Sequence, residues 1–223
     1  MDLPALEAEK RFWERGIQRV AGLDEAGRGA WAGPVVAAAV ILPPGDGMGA
    51  ALAGVRDSKQ LSPTARERLA ARIFEVALAV GVGRGEQQEI DALGIVPATR
   101  LAMQRALAAL SIAPEALVID ALRLPGVNLP QDAFPHADAR SLSVAAASIV
   151  AKVTRDRWMA EVAETAFPGY GFAQHKGYGT QQHQAALSRL GVCPLHRLSF
   201  RPVAECEATG STKIETANCA NLR

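Results

Sequence analysis

Cysteine is scarce in this sequence: three in 223 residues, at Cys193, Cys206 and Cys219, with no C-x-x-C pair among them. An odd, late and unclustered set supports neither a disulfide framework nor a zinc site built on paired cysteines. The Cys193 to His196 spacing could supply two ligands, but no second pair accompanies it. Long apolar runs are missing too. The longest nearly apolar stretch, Pro34 to Leu42, is far short of the roughly 20 residues that a membrane-spanning helix needs. The amino terminus, MDLPALEAEKRFWERG, mixes acids with bases and carries no apolar segment, unlike a secretory signal, so a cytoplasmic protein with no membrane contact is expected. Charge of one sign is not in excess either: 24 Lys and Arg stand against 23 Asp and Glu, a formal +1. Net charge alone therefore leaves no footprint of a polyanionic partner.

What is present is ordinary for one globular domain: 49% apolar and 21% charged residues. The charge is unevenly spread, however. From Ala139 to Arg201 there are eight basic residues against three acids. On charge alone this fits a phosphate-binding face and a set of solvated helix faces equally well.

Along the chain, Val20 to Leu23 reads as a short strand running into Asp24 and Glu25, and Val35 to Leu42 as a second strand before Pro43-Pro44-Gly45. The glycine-rich turn between them suggests a hairpin. A helix starts at Ser62-Pro63, with Ser62 as N-cap, and runs through Phe74. Val76 to Val82 is expected as a strand closed by Gly83-Arg84-Gly85, followed by helices over Glu86–Leu93 and Val96–Leu110. Ala116 to Asp120 has the character of a buried strand whose acidic tip reaches a site. A broken, proline-rich stretch spans Leu124 to Pro135. Ser141 to Ala166 carries the strongest helical periodicity, and Gln181 to Leu190 is a helix ended by Gly191. Past Pro202 the periodicity stops, so residues 1–202 are expected to form the domain and 203–223 a flexible tail. The order predicts an α/β or α+β domain around a mixed sheet.

The stretch GLDEAGRGAWAGP, residues 22 to 34, is poor core material and has three readings. Gly27-x-Gly29-x-x-Ala32 fits the loose dinucleotide fingerprint, but that requires a helix next, and Gly33-Pro34 leads into a strand-like run. A tight turn with a solvated acidic edge is the second. The third is half of a metal site, because Mg²⁺ and Mn²⁺ take hard oxygen ligands, which must converge from separate elements. Neighbours on a regular strand point to opposite faces, so Asp24 and Glu25 share a site only if the strand ends or distorts there. Candidate partners lie at element ends: Asp120, closing ALVID, and Asp138, just before the long helix. Taken singly, each is equally a turn or helix-mouth acid.

Five segments together resemble a known family, the prokaryotic ribonucleases HII: GLDEAGRGAWAGPVVAAAVIL (22–42), DSKQLS (57–62), VIDAL (118–122), DARSLSVAAASIVAKVTRDR (138–157), and YGFAQHKGYGTQQH with PLHRLSF (170–183, 194–200). The resemblance covers about residues 10 to 202 in the family's order. It implies the ribonuclease H-like α/β fold, a mixed sheet flanked by helices with a helical carboxyl-terminal portion. It also implies an endonuclease that cuts the RNA strand of RNA–DNA hybrids, and single ribonucleotides embedded in duplex DNA. Hydrolysis on the 5′ side of the ribonucleotide would leave a 3′-hydroxyl and a 5′-phosphate, with Mn²⁺ or Mg²⁺ as cofactor. The expected partner is that nucleic acid, and the expected state a monomer.

Carried over by position, Asp24, Glu25 and Asp120 match the metal-binding acids and Asp138 the fourth active-site acid. Gly27, Arg28 and Gly29 match the loop whose backbone approaches the 2′-hydroxyl, the local difference between RNA and DNA. Tyr178 matches the tyrosine that packs on the next sugar. Ser58 and Lys59 match a phosphate-contacting segment; Lys152, Arg155 and Arg197 are weaker candidates for that work, with Arg155 more simply a solvated or helix-pairing charge near Asp156. His175, His183 and His196 invite an acid–base role, which two-metal chemistry does not require; His196 and Arg197 are expected to support the fold. Two positions depart from the family: Ala121 follows Asp120 where glycine is usual, and His136-Ala137-Asp138 replaces Lys-Gly-Asp. Wherever such a backbone needs positive φ, alanine costs roughly 1 to 2 kcal/mol. A different metal-dependent nuclease acting on DNA, and a non-catalytic hybrid-binding protein, are the alternatives.

Overall fold

A computed structural model describes residues 4–208, which separate into two compact units. The first takes the chain to Ala26, Val36–Arg84 and Thr99–Val153; the second takes Gly27–Val35, Gly85–Ala98 and the chain from Thr154.

A mixed five-stranded sheet, in the order β3-β2-β1-β4-β5, is the frame of the fold. Its strands are β1 (Val20–Ala26), β2 (Val35–Ile41), β3 (Ala79–Gly85), β4 (Ala116–Asp120) and β5 (Gln131–Phe134). The expected hairpin is present: β1 and β2 pair antiparallel from Ala21↔Ile41 to Ala26↔Val36. On its other edge β1 runs parallel to β4, and β4 parallel to β5. Every residue of β2 is buried, which explains its unbroken Val, Ala and Ile composition.

The helices follow their start signals. Ser62 accepts a 3.2 Å hydrogen bond from the Ala65 amide and opens Pro63–Val76. A capping box at Glu86 and Glu89 opens Gln87–Leu93, and Gly94, at φ +85°, ends it. Thr180 caps Gln181–Leu190. The long periodic segment forms an α-helix over Leu142–Trp158, continues as a π-helical turn over Met159–Ala163 and closes at Glu164–Ala166. Its Leu142, Ala145, Ala146, Ile149 and Val150 join Val40, Leu69 and Ile73 in the core of the first unit. Gly22 permits close approach here, since a Cβ on it would lie 2.3 Å from the Ser143 carbonyl carbon.

Three sequence expectations change, and one helix appears where the sequence raised no expectation. The third strand starts later and contains the glycines expected to close it. They are there for packing: Cβ atoms on Gly83 and Gly85 would lie 2.2 and 2.6 Å from the carbonyl oxygens of Ala102 and Ala98, one helical turn apart. The proline-rich stretch contains β5, a half-buried edge strand too short to show alternation. Near the amino terminus a helix, Glu7–Trp13, buries Glu9. Its Oε1 accepts from the Ser141 hydroxyl (2.6 Å), the Ser143 amide (2.9 Å) and the Ser143 hydroxyl (2.6 Å) at the mouth of the long helix. Finally, the segment read as tail from Val203 begins inside a helix, Arg201–Ala208, with Val203 buried and Arg201 paired to Glu205 at 2.7 Å. One buried apolar residue in eight is too little to register as periodicity; positions 209–223 of the expected tail lie outside the described residues.

In the second unit Ala32, Met159, Phe167, Tyr170, Phe172, Cys193 and Leu195 form a separate core. Among the described residues no helix is long and apolar enough to cross a membrane.

Candidate active site

In the first unit the acids gather where strands end. The parallel ladder between β1 and β4 stops at Leu23↔Ile119, and Asp24 and Asp120 each follow that last pair. The carboxyl ends of adjacent parallel strands are where open α/β sheets place their ligands. Asp138 arrives from the short 3₁₀ turn Ala137–Ala139 and is buried; the Ala137 amide donates to Asp120 Oδ1 at 2.9 Å. Strand β1 does not end or break at the acidic pair, contrary to what sharing a site was expected to require. It pairs with β2 through Ala26, and Glu25, half-buried, donates its amide to Asp24 Oδ1 at 2.6 Å.

The electrostatics bind these acids into one group. Burial raises the Asp24 carboxyl well above the usual carboxylate range, and Glu25, Asp120 and Asp138 add repulsion; the Glu25 amide works against them. Asp138 is raised by burial, then by Asp57 and Asp120, while Lys59 opposes the shift. For Lys59 burial acts to lower the pKa, but Asp57, Asp24, Asp138 and Asp120 outweigh it and the net shift is upward. Lys59 is exposed and belongs electrostatically to the acid cluster. Ser58 is buried instead: its hydroxyl meets that of Ser148 at 2.8 Å, and its amide donates to the same oxygen at 3.3 Å. Lys152, half-buried, lies one turn beyond Ser148 on the long helix.

Among the described residues no three Asp, Glu, His or Cys side chains form a ready metal-ligand cluster. The donor chemistry nevertheless suits a hard divalent cation. All four groups are carboxylates, and their mutual repulsion is what such a cation relieves.

In the second unit, the segment Gly27 to Pro34 wraps around two fully buried guanidinium groups. Arg155 donates to the carbonyls of Pro34 (2.8 Å), Lys176 (2.9 Å) and Ala32 (3.0 Å). Arg197 donates to Gly33 (2.9 and 2.8 Å), Arg28 (2.8 Å) and Gly27 (2.8 Å). Neither arginine is therefore a phosphate contact, and Arg155 is not a solvated charge. Burial, with Arg155 adding repulsion, lowers Arg197 to about 9, which leaves it charged at neutral pH. Gly27, at φ +93°, has no room for a side chain, since a Cβ would lie 2.0 Å from Arg155 Nε. Gly29 is the opposite case: exposed, with nothing within 4 Å of the Cβ position.

Tyr178 is half-buried and bridges to Ala30, with the Arg155 guanidinium 5.2 Å from its ring centre. Three histidines lie behind it. The Cys193 amide donates to His196 Nδ1 (2.9 Å), so the neutral ring donates from Nε2 to His183 Nε2 (3.1 Å). That leaves His183 Nδ1–H to donate to the Tyr178 carbonyl (3.1 Å). His175 stacks on His183 with ring centres 4.3 Å apart. Burial lowers His183 to about 4 and His196 to about 3. Such rings are neutral supports of the fold, as expected of His196, and not proton carriers near pH 7.

Comparison with known proteins identifies the family and the fold. Residues 21–203 match the family model for ribonuclease HII. A ribonuclease HII of Chloroflexus aurantiacus is 58% identical over 91% of this chain and 96% of its own length; one of Thermus thermophilus is 58% identical over 88% and 93%. The chain belongs to the ribonuclease HII family. The crystal structure of the ribonuclease H2 from Pyrococcus horikoshii has the same fold, with a TM-score of 0.71 at 27% identity, covering 86% of this chain and 98% of that one.

Family membership makes the chain a ribonuclease, a hydrolase of RNA phosphodiesters. Against the ribonuclease HII pattern its two departures separate. Ala121 does occupy positive φ, at 57°, where glycine would be unstrained. Ala137 does not; the left-handed residue is His136, at 57°, one position earlier. Local sequence does not single out Asp57. It caps the turn carrying Lys59, accepting the Lys59 amide at 2.9 Å, and acts on Asp138. Its only sequence signal is its place at the head of DSKQLS, where it reads as an ordinary turn acid.

Proposed function

We propose that this ribonuclease HII cuts the RNA strand of RNA–DNA hybrids and also cuts at single ribonucleotides embedded in duplex DNA, leaving a 3′-hydroxyl and a 5′-phosphate. The observation that carries the reading is the meeting of Asp24, Asp120 and Asp138, with Glu25 beside them, at the carboxyl ends of parallel strands in a chain of this family. No protein nucleophile is required; water is the attacking group.

Asp24, Glu25 and Asp120 would hold Mn²⁺ or Mg²⁺, with Asp138 as the fourth acid. Such ions, when bound, supply an activated water and charge neutralisation at the scissile phosphate. The chain's own contribution is orientation. Asp120 is fixed by the Ala137 amide, Lys59 offers a cation beside the acids, and Ser58 anchors the turn that presents Lys59. Lys152 is assigned to the duplex backbone.

Choice of sugar is assigned to Gly27, Arg28 and Gly29, with Tyr178 packing on the neighbouring sugar. The open Cβ position of Gly29 supports this, because nothing inside the protein calls for glycine there, whereas a nucleic-acid backbone approaching closely does. All four acids come from one chain, which supports a monomer as the acting species, and a cytoplasmic protein is the reading consistent with a duplex-DNA substrate. The test is cleavage of one DNA duplex with and without a single ribonucleotide. Cutting of the ribonucleotide duplex alone is expected, and equal cutting of both overturns the reading.

A further inference from the structure

Two buried guanidinium groups are a costly way to fill a core, since each is stripped of water, and packed apolar groups would stabilise at least as well. Here they are spent on one short segment. Of the seven hydrogen bonds that Arg155 and Arg197 donate, six end on carbonyls of Gly27, Arg28, Ala32, Gly33 and Pro34. The amides of Ala30, Trp31, Ala32 and Gly33 are also used inside the protein, on Gly27, Gly177 (twice) and Leu195. The segment is therefore held from within at nearly every peptide, and its exposed member, Gly29, is what remains on the outside.

We infer that Arg197, assisted by Arg155, is a positioning residue for sugar discrimination: it fixes the Gly27–Arg28–Gly29 backbone in the shape that meets the 2′-hydroxyl. The inference rests on the reading of that segment as the sugar-sensing loop. Distance is why the shape matters. A hydroxyl is told from a hydrogen atom by a hydrogen bond that weakens steeply with misalignment, so a loop free to shift by an ångström loses the distinction. The guanidinium plane is what the fork requires. Arg197 reaches Gly27, Arg28 and Gly33 from three nitrogens at once, and an ammonium group on a lysine stem cannot span those carbonyls. The same rigidity explains Gly27, whose missing side chain leaves the space that Arg155 occupies.

The test is made in an Asp120→Asn background, so that the duplex stays intact. Binding is measured to one DNA duplex with and without a single ribonucleotide, and the ratio of the two affinities is the readout. Arg197→Lys is expected to lower that ratio at least tenfold while the far-ultraviolet circular dichroism remains that of a folded chain. An unchanged ratio in folded Arg197→Lys overturns the inference while leaving the loop reading intact. No preference for the ribonucleotide duplex with Arg197 present overturns the loop reading itself, and the inference with it. Should Arg197→Lys not fold, Arg155→Lys is read by the same ratio and the same criterion. Failure of both variants to fold assigns the pair to stability alone and overturns the inference.

Discussion

The amide of Ala137 donates a 2.9 Å hydrogen bond to Oδ1 of Asp120, tying the tip of β4 to the turn that carries Asp138. An asparagine at 120 keeps an acceptor oxygen for that bond and loses only the charge. Asp120→Asn therefore isolates charge from architecture, which few substitutions in a crowded acidic site do.

Repulsion within the acid cluster predicts a stabilised but inactive variant. Burial and three neighbouring acids raise the Asp24 carboxyl, so near neutral pH its ionised form opposes folding. Asp24→Asn should raise the melting temperature of the metal-free protein, by about 2 to 4 °C per kcal/mol relieved for a chain of this size. Added Mn²⁺ should stabilise the wild type more than the variant, and cleavage should be lost. A melting temperature that falls in Asp24→Asn would contradict the electrostatic account.

Ala121, at φ 57° next to Asp120, carries backbone strain that glycine would not. Ala121→Gly should stabilise by about 0.5 to 1 kcal/mol, the left-handed penalty less the extra freedom of an unfolded glycine. Ala137→Gly should be neutral or destabilising, because Ala137 is buried and its φ is not positive. Urea unfolding of the two variants side by side separates them; equal effects would remove the strain argument.

The histidine chain predicts loss of stability in acid. Burial lowers His183 to about 4 and His196 to about 3, both below the unfolded value near 6.5. A histidine with a depressed folded pKa favours the native state above its unfolded pKa and loses that contribution as pH falls toward the folded value. Stability should thus decline from about pH 6.5 down to about 4 for His183 and about 3 for His196, by at most about 1.4 kcal/mol per pH unit for each ring. His196→Gln should flatten the slope. Denaturant midpoints across that range decide it, and an equally steep wild type and variant would assign the acid sensitivity elsewhere.

The acids were legible in the sequence because strand ends are: Asp24 and Asp120 each close an apolar run, and the parallel pairing of β1 with β4 sets them side by side. Ser62 and Gly191 likewise announced their helix ends, whereas the Thr180 cap shows only in the structure. What stayed hidden depends on partners distant in the chain. Nothing local to Arg155 or Arg197 says that each will be buried against carbonyls more than a hundred residues earlier. The glycines of β3 read as a stop because the helix that needs their empty Cβ positions follows them in sequence. Glu9 looks like any surface acid until the long helix it caps is folded.

The most direct measurement of the central claim is cleavage of a DNA duplex bearing one ribonucleotide, in Mn²⁺ and in Mg²⁺, by the wild type and by Asp120→Asn. Incision at the 5′ side of the ribonucleotide by the wild type, none of the all-DNA duplex, and a loss of at least a thousandfold in a folded Asp120→Asn are predicted, on the order of 4 kcal/mol of barrier. Undiminished cutting by Asp120→Asn, or incision that ignores the ribonucleotide, would contradict it.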